Sequence, residues 1–371
     1  MKSDRLKNLT DFPDSCGFGP DNLPDDSKCP VTSRLPEFVP SRILDEARSG
    51  WFPKGSRACV GCELCSGDRG ASFPNCIDHM LLACGRREGF IPRAFGGALD
   101  AVVTFQINGS KQNRLDWVAS DIEIADEDSK GEIGLFVGCA PYYDVLLADR
   151  VGIKLTSETH SAVRLLNAVG VKPVVLRDEV CCGGDRLHAG DRGGFMALGT
   201  RNARLFKNRG VKTIVTTCND CRYTLGTRYP GRIEGWDFEV MSVTDFLMKK
   251  KVAVPTRPVR VKIAIQPPDR YSDPGNIASM RKLLSGIPEL FTSDIPLGHP
   301  STFGSWNQFG SISKSMEGAM LRDAESTGAA ALVVQSTRVL TRLLEGRQPG
   351  SWEETSIGVI GLYSFLASAM R

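Results

Sequence analysis

Ten of the twelve cysteines in the 371-residue chain fall into two groups whose spacing suits metal–sulfur chemistry. In the second group, Cys139 stands alone after the apolar run Leu135-Phe136-Val137. The doublet Cys181-Cys182 follows with Gly183-Gly184 behind it, and Cys218-Asn219-Asp220-Cys221 closes the set. Zinc takes four ligands in closed tetrahedral sites, a need that five thiols with an adjacent doublet exceed. A core of several irons requires a terminal thiolate on each and can use a larger set. Gly183 and Gly184 allow the backbone to approach closely and offer amide donors to sulfur, which tune the potential. Cys181 and Cys182 are the candidate catalytic positions. Zinc at a subset of the thiols, or inert buried cysteines, are the competing readings.

In the first group, Cys59-Val60-Gly61-Cys62-Glu63-Leu64-Cys65 has the bacterial ferredoxin spacing but lacks the Cys-Pro that ordinarily closes it. Cys29-Pro30 stands upstream instead. In two-cluster ferredoxins the fourth cysteine of each run ligates the other cluster. On that logic Cys59, Cys62, Cys65 and Cys29 hold one cubane [4Fe–4S] cluster. Cys76 is then the crossing ligand of a second, depleted site, for which Cys16 and Asp25 or Asp26 stand upstream, or it replaces Cys29 as fourth ligand. Zinc at the triplet is again the competing reading. Cys84 lies in a helical stretch and reads as a packed thiol.

Elements that follow one another as strand and helix must carry the second group. Residues 133–138, 173–176 and 211–217 read as short buried strands, and 160–169 and 190–209 as helices. Such alternation implies a parallel sheet, and Cys139 and Cys218 each follow the end of a strand, where open α/β sheets place their ligands. The plan recurs downstream, with strands at 261–265 and 329–334 and helices at 274–284 and 312–326. Gly210 to Cys218 aligns with Gly328 to Ser336, Leu135 to Cys139 aligns with Ile263 to Pro267, and Ser301 to Gly304 falls where the doublet would be. The second half thus reads as a copy without thiols. The expected fold is α/β: two βα repeats with short parallel sheets, preceded by a mostly helical ferredoxin-like domain. The expected division is 1–100 for that domain, 101–131 for a connector, 132–255 for the cysteine-bearing repeat and 256–371 for its cysteine-free copy. Residues 41–50 and 77–87 read as N-terminal helices.

Composition narrows the function classes. The chain is 41% hydrophobic, enough for more than one core, and its net charge of +3 gives no sign of a nucleic-acid partner. No export signal and no transmembrane stretch is read from the sequence, so a cytoplasmic location is expected, with membrane association only through a partner. In a reducing compartment clustered thiols are more often metal ligands than disulfides. Gly193-Gly194 lies in a helical region and lacks the strand-turn-helix placement of a dinucleotide fingerprint. His188 and His79 are candidate proton donors or electrostatic partners near the two cysteine groups, with solvated helix positions as the plainer reading. Lys249-Lys250-Lys251 suits the end of a helix.

The motif Gly138-Cys139, Cys181-Cys182-Gly183-Gly184 and Cys218-Asn219-Asp220-Cys221 resembles the CCG domain of heterodisulfide reductase catalytic subunits. Relatives of those subunits include the iron-sulfur subunits of glycolate, lactate and anaerobic glycerol-3-phosphate oxidation systems. The order of a ferredoxin-like region followed by CCG repeats is similar too, as is the connector fragment Gln112-Asn113-Arg114-Leu115-Asp116-Trp117. The resemblance implies that Cys139, Cys181, Cys182, Cys218 and Cys221 hold a non-cubane [4Fe–4S] cluster. It also implies redox chemistry on a disulfide or thiol, with flavoprotein, ferredoxin or membrane-bound cytochrome and quinone-linked subunits as partners in a hetero-oligomer. Heterodisulfide reductases carry two complete motifs whose clusters cleave a disulfide between them. This chain carries one, so a two-cluster grip is not available within it. The alternative reading is a non-catalytic conduit between a flavoprotein dehydrogenase and a quinone or other acceptor. A cleft beside Cys181 and Cys182 would favour catalysis, and an enclosed centre would favour the conduit.

Overall fold

The computed structural model describes residues 18, 22–33, 35–49, 56–59, 61–62, 64–66, 72–73, 76–77, 80, 97–108, 114–188, 190–251, 256–267, 274–295, 310–347 and 355–370. Cys16, His79, Cys84, Gln112, Asn113, residues 81–87 and Ser301–Gly304 lie outside them.

Helix α1 (Pro40–Arg48) starts on a proline, whose fixed φ suits the first helical position, and ends with Arg48 in its last turn. It buries Ile43, Leu44 and Ala47 in a core shared with Phe38, Phe73 and Met80. Helix α2 (Ala98–Ile107) stands in the stretch read as a connector and packs on later helices.

The next elements are β1 (Ile133–Phe136), α3 (Ala140–Val151), α4 (Thr156–Ala168), β2 (Val174–Val175), α5 (Gly184–His188), α6 (Arg192–Asn208), β3 (Thr213–Thr216), α7 (Asn219–Tyr223), β4 (Glu239–Ser242) and α8 (Val243–Lys250). The strands form one all-parallel sheet in the order β2-β1-β3-β4, with Leu135 opposite Val175 and Val215. The chain continues through β5 (Val261–Ile265), α9 (Pro274–Ser285), β6 (Leu290–Asp294), α10 (Gly310–Ser326), β7 (Ala331–Val334), α11 (Thr337–Gly346), β8 (Gly358–Gly361) and α12 (Leu362–Ser368). Its strands form a second all-parallel sheet in the order β6-β5-β7-β8. Both segment alignments read from the sequence pair strands that hold the same place in the two sheets, β1 with β5 and β3 with β7.

In each sheet the strand order reverses between the first and third strands. A crevice opens beyond strand ends at such a switch point. One core joins the two sheets: Leu135, Val137, Val175 and Val215 cluster with Ile263, Ile265 and Val333. Helix α4 contributes Ala162, Val163, Leu165 and Leu166 to it, and α12 contributes Leu362, Tyr363, Phe365 and Leu366. Each large side chain removed from water there is worth roughly 1.5–3 kcal/mol, so the sheets are held as one body.

Candidate metal–sulfur centre

Cys139 follows β1 and Cys218 follows β3, the two strands that flank the switch point of the first sheet. Cys218 takes the N-terminal cap position of α7, whose first turn brings Cys221 back to the same side. Cys181 and Cys182 arrive on the loop between β2 and α5. All five line one cavity, together with Val137, Tyr143, Asp185, Thr224, Thr337 and Arg338 among others. The Cys139 and Cys181 sulfurs stand 3.8 Å apart, and those of Cys182 and Cys221 stand 3.6 Å apart. The ten described cysteines are all free thiols. Among the described residues no three Cys, His, Asp or Glu side chains gather for a single metal ion. The sulfurs border a cavity instead, the placement expected of ligands to a core of several atoms.

The backbone around the sulfurs is shaped for close approach. Gly138 and Gly183 have φ of +69° and +76°, the left-handed region that glycine enters without a Cβ penalty. A Cβ on Gly138 would stand 3.1 Å from the Cys221 sulfur. The Gly183 N–H donates to the Cys181 sulfur at 3.4 Å. A donor set of five thiols, with an amide beside one and no side chain crowding them from Gly138 or Gly183, fits an iron–sulfur core.

Several residues outside the cysteine motif fix the loops. Asn202 on α6 brackets Val180, accepting from its N–H and donating to its carbonyl, both at 3.0 Å. Gln106 on α2 accepts from the Cys181 N–H at 3.0 Å, and Tyr229 donates to the Cys182 carbonyl at 2.9 Å. Glu179 accepts the N–H groups of Val137 and Gly138 at 3.0 and 2.8 Å, which holds the turn before Cys139. Arg114 pairs with Glu179 and donates to the Glu179 and Gly138 carbonyls. Both side chains are buried. Burial pushes Glu179 up to about 7 against the pull of the Arg114 charge. No sequence signal marks Gln106, Glu179, Asn202 or Tyr229; Arg114 alone lies in a recognisable segment, the connector fragment.

The thiols share their protons unequally. Hydrogen bonds with Cys139 and Cys182 hold Cys181 well below the usual thiol range, and the Gly183 N–H and Arg338 add to the effect. Contacts with Cys181, together with burial, push Cys139 and Cys182 up, and contacts with Cys182 and Cys218, with burial, push Cys221 up. A bound metal core must therefore displace protons from the raised thiols as it binds. His188 ends α5, and its side chain lies outside the described residues.

Residues 133–226 match the cysteine-rich CCG domain, a match that spans the five thiols from Cys139 to Cys221. This segment is a CCG domain. The chain is 27% identical over 68% of its length to an uncharacterized iron-sulfur protein of Methanococcus maripaludis, covering 49% of that protein. It is 27% identical over 71% of its length to one subunit of the CoM/CoB fumarate reductase of Methanothermobacter marburgensis, covering 54% of that subunit. It is 25% identical over 57% of its length to one subunit of the dihydromethanophenazine:CoB–CoM heterodisulfide reductase of Methanosarcina acetivorans, covering 50% of that subunit. The chain thus spans about half the length of the curated relatives it matches.

Away from the CCG domain, Cys29, Cys59, Cys62, Cys65 and Cys76 meet in the N-terminal core with Phe38, Phe73 and Met80. The Asp25 N–H donates to the Cys65 carbonyl at 2.8 Å, which ties the Cys29-Pro30 loop to the triplet. The Gly61 N–H donates to the Cys59 sulfur at 3.4 Å. Cys29 and Cys76 are both buried here, so each remains a candidate fourth ligand. Among the described residues no helix is long and apolar enough to cross a membrane.

Proposed function

We propose that the chain is an iron–sulfur redox subunit. Cys139, Cys181, Cys182, Cys218 and Cys221 would hold a non-cubane [4Fe–4S] cluster. Cys59, Cys62 and Cys65 with Cys29 would hold a cubane [4Fe–4S] cluster, Cys76 being the alternative fourth ligand. When bound, such centres supply single-electron transfer, while the protein sets the potential through burial and amide donors. The observation that carries this reading is the meeting of five thiols from three separated loops around one cavity at the switch point.

We favour action on a small ligand over passive conduction. Tyr143, Asp185, Thr224 and Thr337 border the cavity beside the sulfurs, so polar groups stand next to the metal ligands. The named relatives belong to CoM/CoB fumarate reductase and CoB–CoM heterodisulfide reductase. A disulfide or its thiols are therefore the substrate class we assign to the site. Those relatives are subunits, which supports a hetero-oligomer with a flavoprotein, ferredoxin or membrane-linked redox partner. Residues 1–100, 132–255 and 256–371 would be the cubane, cluster-bearing CCG and cysteine-free CCG units, joined by 101–131.

Paramagnetic resonance of the anaerobic protein, with and without added thiol, tests this reading. A signal from the CCG centre that changes on thiol addition is the expected result. A signal indifferent to every thiol and disulfide offered would leave the conduit as the function.

A further inference from the structure

The cysteine-free second sheet sends residues into the cavity of the first. Asp220 stands four positions after the end of β3 at Thr216, and Arg338 stands four after the end of β7 at Val334. In the same count Ser336 matches Cys218 and Val339 matches Cys221, so the second repeat presents an arginine in the first turn of α11, where the first repeat carries its Cys-x-x-Cys thiols. That arginine reaches the cluster site. Its guanidinium pairs with both oxygens of Asp185 at 2.9 and 3.0 Å and with Asp220 at 3.1 Å. Its side chain is 8% exposed and borders the cavity with its neighbour Thr337. Beside it the Asn219 side chain donates to Gln335 at 3.3 Å, so the strand tips of the two repeats meet here.

Asp185 lies three residues beyond Cys182, and Asp220 lies between Cys218 and Cys221. Arg338 therefore ties two of the three thiol-bearing loops to each other and to the second repeat. A buried forked cation does this where a lysine could offer only a point charge. We propose that Arg338 is a positioning residue for the metal–sulfur core: it sets the spacing of the Cys182 and Cys218–Cys221 loops and fixes a positive charge in the cavity wall that raises the core's reduction potential. This rests on the reading of the five thiols as cluster ligands. A fixed cation in a poorly solvated wall favours the state carrying the extra electron, and Asp185 and Asp220 oppose it.

The test compares Arg338→Gln, Arg338→Lys and Asp185→Asn with the unaltered chain, reading iron and sulfide content and the potential by redox titration. Arg338→Gln is expected to shift the reduction equilibrium of the CCG centre about tenfold toward the oxidised form, which is about 59 mV for one electron. Asp185→Asn is expected to shift it the other way, and Arg338→Lys to keep most of the potential while retaining less iron. Opposite shifts support the charge role, since a general loosening of the site moves both variants alike. An Arg338→Gln protein with full iron content and unchanged potential overturns the proposal and leaves the cluster assignment standing. An unaltered chain without iron or sulfide sinks both. If Arg338→Gln does not fold, Asp185→Asn decides, and an unchanged potential there overturns the proposal.

Discussion

Removing the Arg114 guanidinium would leave Glu179 buried without its counter-charge, beneath the turn that carries Cys139. Breaking one side of a buried pair costs about 3–5 kcal/mol. Arg114→Met should lower the unfolding free energy measured in urea by that much, and adding Glu179→Gln should recover only the part due to the lone charge, since the Glu179 and Gly138 carbonyls still lose their donor. A cost below about 1 kcal/mol would show that the pair does not hold the loop. Gly138→Ala should cost about 1–2 kcal/mol through its left-handed backbone alone. Because its Cβ would also crowd the Cys221 sulfur, iron retention should fall alongside stability; a variant that keeps all its iron would contradict the close approach. At this scale the sequence announces the thiols and little else. Cysteine clusters are rare enough to be read from spacing, whereas Glu179, Asn202 and Arg338 are common residue types. Their partners lie up to 153 positions away, as Asp185 does from Arg338. Only folding brings those charges together.

The joint between the repeats turns on one carboxylate. Glu158 on α4 accepts the N–H groups of Tyr363 and Ser364 at 3.0 and 3.2 Å, capping the start of α12. Burial raises its pKa to about 7 against these hydrogen bonds. The folded chain therefore holds this proton more tightly than the unfolded chain, where the carboxyl titrates at about 4.3. The sign follows: this contribution is fully present below the unfolded value and is lost as pH rises through about 7. It is on the order of 3 kcal/mol. Glu317 and Glu179 are raised to about 7 as well, so they add slope of the same sign. Glu158→Gln should flatten part of the fall in denaturant midpoint between pH 5 and 8; an unchanged slope would mean that Glu158 stays ionised throughout. Gly361 leaves the space for this carboxylate, since a Cβ there would fall 2.0 Å from its carbon. The central strands β1, β3, β5 and β7 are legible in the sequence as short apolar runs. The outer strands β4, β6 and β8 are not: they carry more exposed or half-buried positions, so the signal of a buried run is diluted. Helix α11 is buried along its length, Arg338 and Arg342 included, and its charges hid it among surface patterns. Arg342 pairs there with Glu317 at 2.9 Å and Glu345 at 3.1 Å.

For the whole molecule, two parallel sheets of the same strand order share a core, and only one carries thiols. That division could be read from the sequence because the strand-to-cysteine spacing repeats while the cysteines do not. What stayed hidden was the contact between strand tips, which makes the cysteine-free repeat part of the site wall. The N-terminal thiols form a group apart from the CCG thiols, in a core that also takes Ile312 and Met316 from α10, so the two proposed centres should be separable by substitution. Cys62→Ser should remove the N-terminal signal and leave the thiol-responsive one. Cys182→Ser should do the reverse. The most direct measurement is iron and acid-labile sulfide per chain in anaerobically prepared protein, for the unaltered sequence and these two variants. Two centres predict about eight of each in the unaltered chain, falling by about half in either variant. Zinc in place of iron, or iron content indifferent to Cys182, would contradict the account.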